Sequence, residues 1–197
     1  MHKIVIILAA ALAFSGCATK TYNIDKTKDK GHAVLSLDYR DFDYAIGELV
    51  QSLLDSGTLN KDGGKYVVTT GEITNDTTQQ IDTRQLMSSV EEQLVASGRV
   101  DMTSAIGNAA DDMLDASRAL RDSEEFREDT LVPKRQMIAP ELSFTGKIFQ
   151  HVLNYDAKSK QVEYYIELIV TDLKTGLRLW QKQVQILKRG STKAPIW

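Results

Sequence analysis

The sequence predicts a mixed α/β fold, in which helices pack on one β-sheet and three antiparallel strands close the chain. Apolar residues recur at helical spacing in the first two thirds of the chain, and they alternate with polar or mixed residues in the last third. The predicted order of elements is α, β, α, short β, α, β, β, β. This alternation is typical of a mixed sheet with helices packed against it.

The first helix is predicted by a stripe of apolar residues at spacings i, i+3, i+4, i+7 and i+8. Asp38 or Asp41 is placed to cap its start, and Gly57 is placed to end it. Such a stripe is expected to face the core. Its members are Phe42, Ala45, Ile46, Leu49, Val50, Leu53 and Leu54.

The middle of the chain predicts a strand over 65–73 (KYVVTTGEI), a polar loop, a second helix over 83–97 and a short strand over 99–102. The inward residues of the second helix are expected to be Met87, Val90, Leu94 and Val95. A third helix is predicted to start near Ser104. Its apolar members are Ile106, Ala109, Ala110, Met113, Leu114, Ala116 and Leu120. The charged residues that follow (RDSEEFRED) are interpreted as a solvated helix end and loop.

Three antiparallel strands are predicted in the last third, joined by connections at 154–160 (NYDAKSK) and 172–176 (DLKTG). The alternating residues of the first two strands are Leu142, Phe144, Ile148, Val162, Tyr164, Ile166, Leu168 and Val170. We expect four residues from different elements to meet in the core: Leu49, Val90, Ile166 and Leu168.

The N-terminus has the layout of a secretory signal peptide: Lys3, an apolar run from Ile4 to Phe14, and the small residues Ser15 and Gly16. The run is shorter than the roughly 20 residues that a transmembrane helix needs. The sole cysteine, Cys17, follows directly and resembles the cysteine of a bacterial lipobox, which is lipid-modified and becomes the new N-terminus. A soluble secreted protein would have no reason to place a cysteine there.

This layout predicts a signal peptide over 1–16, a lipidated N-terminus with a flexible tether over 17–37, and one globular domain over 38–197. The tether is lysine-rich and poor in apolar residues. Its roughly 20 residues would span at most about 65–70 Å when fully extended. The residue after Cys17 is Ala18 and not an aspartate. In the lipoproteins of Gram-negative bacteria that this N-terminus resembles, that favours sorting to the outer membrane.

Composition argues against several function classes. The 24 basic and 27 acidic side chains form no basic stripe, which disfavours a nucleic-acid partner. The chain lacks HExxH, CxxC, GxSxG and a glycine-rich phosphate loop, so we expect no metal, no cofactor and no enzymatic activity. Only His32 and His151 follow the signal segment, and His151 is interpreted as a structural residue of a strand.

Four segments together resemble the LpoB family of penicillin-binding protein activators. One is the lipobox, and another is the first helix after an Asp-aromatic pair, DYRDFDYAIGELVQSLLDSG. The third is a strand, Asn/Thr-rich loop and helix, KYVVTTGEITNDTTQQIDTRQLMSSVEEQLVASGRV. The fourth is a closing hairpin with a Thr-Gly turn, TDLKTGLRLW. The chain departs from the family in its short tether and in the charged stretch 121–136, for which we find no counterpart.

The resemblance implies a TolB N-terminal-like α/β fold and an outer-membrane lipoprotein on the periplasmic face. It also implies a function: activating a bifunctional peptidoglycan synthase, a penicillin-binding protein, without catalysis. A component of an envelope secretion or assembly system, related to curli-type secretion lipoproteins, is the alternative. A periplasmic hydrolase is a third possibility, disfavoured because no nucleophile and base are paired.

Tyr165 and Trp180 are candidate partner-binding residues, because aromatic side chains dominate interface hot spots. An aromatic residue in a strand more often belongs to the core. Tyr165 is out of phase with the face formed by Tyr164 and Ile166, so it is expected on the opposite side of the sheet. That side is either covered by a helix or open to a partner, and the sequence leaves both options.

Overall fold

A computed structural model of the chain describes residues 23–28, 31 and 34–196. The expected signal peptide and Cys17 lie outside the described residues. The chain divides into two units, one ending at residue 33 and the other starting at Val34, and all the helices and strands below belong to the second.

The second unit is a five-stranded mixed sheet with three helices, which confirms the predicted fold class. The helices are α1 (Tyr39–Asp55), α2 (Thr83–Ala96) and α3 (Asp112–Ala119). The strands are β1 (Tyr66–Asp76), β2 (Val100–Met102), β3 (Leu142–Asn154), β4 (Ser159–Asp172) and β5 (Arg178–Ser191). The sheet order is β2-β1-β3-β4-β5. β1 is parallel to both of its neighbours, whereas β3, β4 and β5 are antiparallel, as predicted for the closing meander.

Helix α1 begins with the reciprocal cap that Asp38 and Asp41 make possible. The Asp38 carboxylate accepts from the Arg40 backbone N–H at 2.9 Å, and Asp41 Oδ2 accepts from the Asp38 N–H at 2.8 Å. The helix ends before Gly57, whose φ of 74° is the left-handed conformation expected after a helix. Its apolar stripe is buried at five positions: Ala45, Ile46, Leu49, Val50 and Leu53.

Helix α2 packs on the same core, with one correction to its expected stripe. Met87, Val90 and Leu94 are buried as predicted, but Val95 is 51% exposed. Val95 follows Leu94 by one residue and is therefore about 100° further around the helix, away from the sheet. The core-facing stripe of α2 instead includes Leu86, which is 8% exposed and which the sequence reasoning had left out.

The third helix is shorter than predicted. It starts at Asp112 rather than near Ser104, because backbone groups of the preceding segment bond to β1 and do not form helical hydrogen bonds. The Asn108 N–H donates to the Thr70 carbonyl at 2.7 Å, and the Thr69 hydroxyl donates to the Ile106 carbonyl at 2.9 Å. Ile106 is 52% exposed, and α3 contains no buried residue. The apolar periodicity here was therefore not a signal of a core-facing helix.

The core lies between helices α1 and α2 and one face of the sheet. Leu49, Val90, Ile166 and Leu168, which were predicted to meet there, are all buried in one cluster. Along β4 every second residue is buried from Val162 to Val170, which matches the predicted alternation.

The segment before α1 also contributes to this core. Leu35 and Leu37 precede the expected domain start at residue 38, yet they are 6% and 3% exposed. The Gln79 side-chain amide bonds to both backbone groups of Leu37, at 2.8 and 2.7 Å. The buried Tyr164 hydroxyl donates to the Leu35 carbonyl at 3.0 Å, and burial raises the pKa of Tyr164 to about 12.

Candidate partner-binding surface

The face of the sheet opposite the core is formed by the odd-numbered residues of β3, β4 and β5, and we call it the open face. Successive side chains of a strand point to opposite sides, so these residues project away from the buried cluster. Their side chains are partly or fully exposed. The central positions across the three strands are Lys147, Phe149, His151, Glu163, Tyr165, Glu167, Gln181, Gln183 and Gln185.

An aromatic cluster occupies the middle of the open face. Phe149 and Tyr165 are directly paired across β3 and β4, and their rings stack with centroids 4.9 Å apart and planes 10° from parallel. The His151 ring meets both edge-on, with its centroid 5.8 Å from that of Tyr165 and 6.0 Å from that of Phe149. Such ring pairs stabilise their arrangement beyond simple area burial.

Polar side chains hold the Tyr165 hydroxyl from two sides. The hydroxyl donates to Glu163 Oε2 at 3.0 Å and accepts from Gln185 Nε2 at 2.8 Å. The hydrogen bond to the Glu163 carboxylate raises the pKa of Tyr165, because it stabilises the protonated phenol. The Tyr165 ring is thus oriented in advance by a stacked partner and two hydrogen bonds.

A charged group borders the aromatic cluster on the side of β1. Lys147 Nζ lies 2.9 Å from an oxygen of Asp76 and 5.5 Å from the centre of the Phe149 ring. On the side of β5, Gln181 Nε2 donates to Glu167 Oε2 at 2.6 Å. The open face therefore combines an ordered aromatic centre with a polar margin, which is the anatomy of a non-obligate protein interface.

Comparison with known families decides which group the chain belongs to. The sequence model of one protein family, described as the peptidoglycan-synthase activator LpoB, matches residues 41–186, about three quarters of the chain. The chain belongs to the LpoB family. The family match includes α1 from its third residue onward, α2 and the whole aromatic cluster of the open face. No curated protein matches the chain by sequence.

Solved structures of LpoB-family domains are among those similar to this chain. The LpoB C-terminal domain from Salmonella enterica has 11% identity and a TM-score of 0.43, with 74% of this chain and 98% of that chain covered. The domain from Escherichia coli has 12% identity, the same TM-score of 0.43 and the same coverage of 74% and 98%. Lipoprotein GNA1162 from Neisseria meningitidis has 12% identity and a TM-score of 0.37, with coverage of 66% and 86%. Nothing in these comparisons supports the alternative of a secretion or assembly component.

The structure separates the two aromatic residues that the sequence singled out. Tyr165 is at the centre of the open face, whereas Trp180 is on the opposite side of the sheet, partly buried against the core cluster. Trp180 pairs with Val170 and shares its side of the sheet with Val184. A surface that uses Tyr165 in this LpoB-family chain therefore does not include Trp180.

Sequence reasoning missed the two aromatic partners of Tyr165. Phe149 and His151 are an odd number of positions from the buried Ile148, and Tyr165 is likewise one position from the buried Tyr164. This alternation was the available signal that all three side chains lie on the face opposite the core. His151, expected to be a structural residue, is exposed at the edge of the aromatic cluster.

Among residues 23–28, 31 and 34–196, the structure has no group of three or more side chains that could hold a metal ion. Within the same described residues, no helix is long and apolar enough to cross a membrane.

Proposed function

We propose that this LpoB-family chain is a lipid-anchored, non-enzymatic regulator that binds and activates a bifunctional peptidoglycan synthase, a penicillin-binding protein, from the outer membrane. The observation that carries the proposal is the family match over residues 41–186. The signal-peptide layout that ends at Cys17 supports the anchor, and Ala18 after it supports the outer membrane as its site.

The open face is the proposed contact surface for the synthase. Its aromatic centre is held by ring stacking and by hydrogen bonds to Glu163 and Gln185. A surface that is already ordered loses little side-chain entropy when a partner binds, so more of its contact energy remains as affinity. Tyrosine is also among the residues that most often dominate the energetics of an interface.

Activation requires that the domain bind the active conformation of the synthase more tightly than the inactive one. Moving a two-state equilibrium from 1:99 to 99:1 requires a difference of about 5.5 kcal/mol. Several open-face contacts made only in the active state would supply this difference. No catalytic group on this chain is needed for that.

The position of the anchor limits where the partner must be. Because Leu35 is buried in the domain, about 16 residues separate Cys17 from it, and a chain of that length spans at most roughly 55 Å. We therefore propose that the partner's contact region lies within that distance of the outer membrane, plus the size of the domain.

Tyr165→Ala is expected to weaken binding to the cognate synthase about tenfold or more, because truncating an interface hot spot commonly costs at least 1.4 kcal/mol. Stimulation of glycan-strand polymerisation should fall in parallel. The measurement uses the full-length protein in detergent, with a binding titration and a polymerisation assay. Tyr44→Ala is the matched control, because Tyr44 is a 57% exposed tyrosine on α1.

Three outcomes would contradict this proposal in different ways. If Tyr165→Ala binds as well as the unchanged protein, the open face is not the contact surface. If the purified protein alone synthesises or hydrolyses peptidoglycan, the regulator is an enzyme. If it binds no penicillin-binding protein at all, the synthase is not the partner.

Cys17→Ser is expected to abolish acylation, since a hydroxyl does not replace the thiol in the lipid transfer and the chain has one cysteine. Membrane attachment would be lost with it, because stable anchoring depends on the buried acyl chains. Labelled palmitate incorporated by whole cells measures the effect. Ser15→Ala, which keeps a small residue before the cysteine, should be labelled normally. Equal labelling of Cys17→Ser would disprove the anchor.

A further inference from the structure

A pocket of about 380 Å³ lies in the segment between β2 and β3, and three arginines line it. Arg118 and Arg121 come from α3 and the turn after it, and Arg135 comes from the loop that leads to β3. Val132, Pro133 and Met137 supply apolar walls. The pocket shares no residue with the open face. Its volume is at the lower end of the range for small-molecule sites.

Two of the three guanidinium groups form no ion pair with a carboxylate of the described residues. Arg118 has an 18% exposed side chain, and its Nη1 lies 3.7 Å from Asp115 Oδ1, beyond hydrogen-bond distance. Within residues 23–28, 31 and 34–196, no carboxylate lies within 4.0 Å of Arg121 or Arg135. Two guanidinium groups at the pocket, those of Arg121 and Arg135, therefore have no carboxylate within 4.0 Å among the described residues.

Arg121 organises the pocket rather than only lining it. Its Nε donates to the Val132 carbonyl at 2.6 Å, and its Nη2 donates to the Pro133 carbonyl at 2.9 Å. These bonds tie the turn after α3 to the loop that carries Arg135. Carbonyl acceptors satisfy the N–H groups without neutralising the charge, so the guanidinium still attracts an anion.

Arg135 has a strained backbone at this site. Its φ is 62°, and among the described residues it is the non-glycine residue with positive φ. This conformation is unfavourable for an L-amino acid with a side chain. Non-glycine residues held in such conformations cluster at binding sites and switch regions.

We propose that this pocket binds a phosphate monoester that carries a small apolar group. A phosphate monoester has a charge of about −1.5 to −2 at pH 7, which matches two uncompensated guanidinium groups better than a carboxylate does. The planar fork of arginine fits phosphate oxygens in pairs. Val132, Pro133 and Met137 would contact the apolar group. This site goes beyond the proposed synthase activation and does not depend on it.

Phenyl phosphate is the probe, because it combines a dianion with a small apolar ring. Titration calorimetry on the full-length protein in detergent should detect binding. Arg118→Gln and Arg135→Gln should each weaken it about tenfold or more, since each removes a charge-assisted pair of hydrogen bonds. Lys134→Gln is the matched control, because Lys134 is in the same loop without lining the pocket, and it should change binding less than about twofold.

The thermal midpoint of each variant separates lost binding from lost folding. Arg135 is on an exposed loop, so Arg135→Gln is expected to keep the thermal midpoint of the unchanged protein. If Arg118→Gln unfolds, the binding measured with Arg135→Gln alone tests the site. Absence of phenyl phosphate binding, or equal binding by all three variants, would overturn the site. Benzoate binding as tightly as phenyl phosphate would overturn the preference for a dianion.

The same titration distinguishes a lipid source of the phosphate from a soluble one. Dihexanoyl phosphatidic acid, below its micelle concentration, presents a lipid phosphate, and glycerol 3-phosphate presents the same group without acyl chains. Tighter arginine-dependent binding of the first would assign the site to a lipid headgroup. Tighter binding of the second would assign it to a soluble phosphate ester. If neither responds to Arg135→Gln, the site is disproved.

Discussion

Leu49→Ala is expected to lower the free energy of unfolding by about 2–5 kcal/mol. Leu49 is 2% exposed and lies at the centre of the apolar stripe of α1, where it belongs to the hydrophobic core cluster. Truncation removes buried methyl groups and leaves a cavity that the rigid sheet cannot close. Urea denaturation should therefore move its midpoint to lower concentration with an unchanged slope.

Val95→Ala is the matched control for this loss. Val95 is on α2 but is 51% exposed, so its truncation should change the free energy of unfolding by no more than about 0.5 kcal/mol. An unchanged midpoint for Leu49→Ala would show that the core is not organised around α1. An equal loss at Val95 would show that this side chain is buried.

Gly146→Ala is expected to destabilise the protein by about 1–3 kcal/mol, because the added methyl group has no space. A Cβ at this position would lie 2.6 Å from the Glu167 carbonyl oxygen and 3.2 Å from Cγ1 of Ile73. Gly146 is in β3, which is paired with β1 on one side and β4 on the other. The backbone therefore cannot move away from the clash without breaking sheet hydrogen bonds.

Gly47→Ala is the same chemical change, but we expect it to raise the free energy of unfolding instead of lowering it. Gly47 is inside α1, and a Cβ there would meet no atom within 4 Å. Alanine stabilises a helix interior by roughly 0.5–1 kcal/mol relative to glycine. Thermal or urea denaturation of both variants measures the contrast. Destabilisation by Gly47→Ala, or none by Gly146→Ala, would contradict the packing described for these elements.

Helical periodicity predicted α1 and α2 correctly, but it misplaced the start of the third helix, whose apolar residues recur at the same spacing. The capping aspartates and the apolar stripe of α1 are short-range features, so they could be identified without knowledge of the neighbours. The helix predicted from Ser104 failed because backbone groups of β1 compete for the same residues. The Asn108 N–H bonds to the Thr70 carbonyl, a partner 38 positions away that local spacing does not specify.

The candidate site was predictable only in part, for the same reason. The alternation along β4 already placed Tyr165 on the side opposite Tyr164, because neighbouring side chains of a strand must diverge. The stacking of Tyr165 on Phe149 depends on the register between β3 and β4, and the hairpin between them sets that register.

Local chemistry therefore determined the helix caps, the alternation of the strands and the layout around Cys17, since each depends on residues within a few positions of one another. The burial of Leu35, the aromatic cluster and the three-arginine pocket depended on the folded chain. Each of these features joins residues that are separated along the chain, as in the hydrogen bond from Tyr164 to Leu35. Such a contact forms only after the intervening chain has closed into a loop and packed, so local sequence does not specify it.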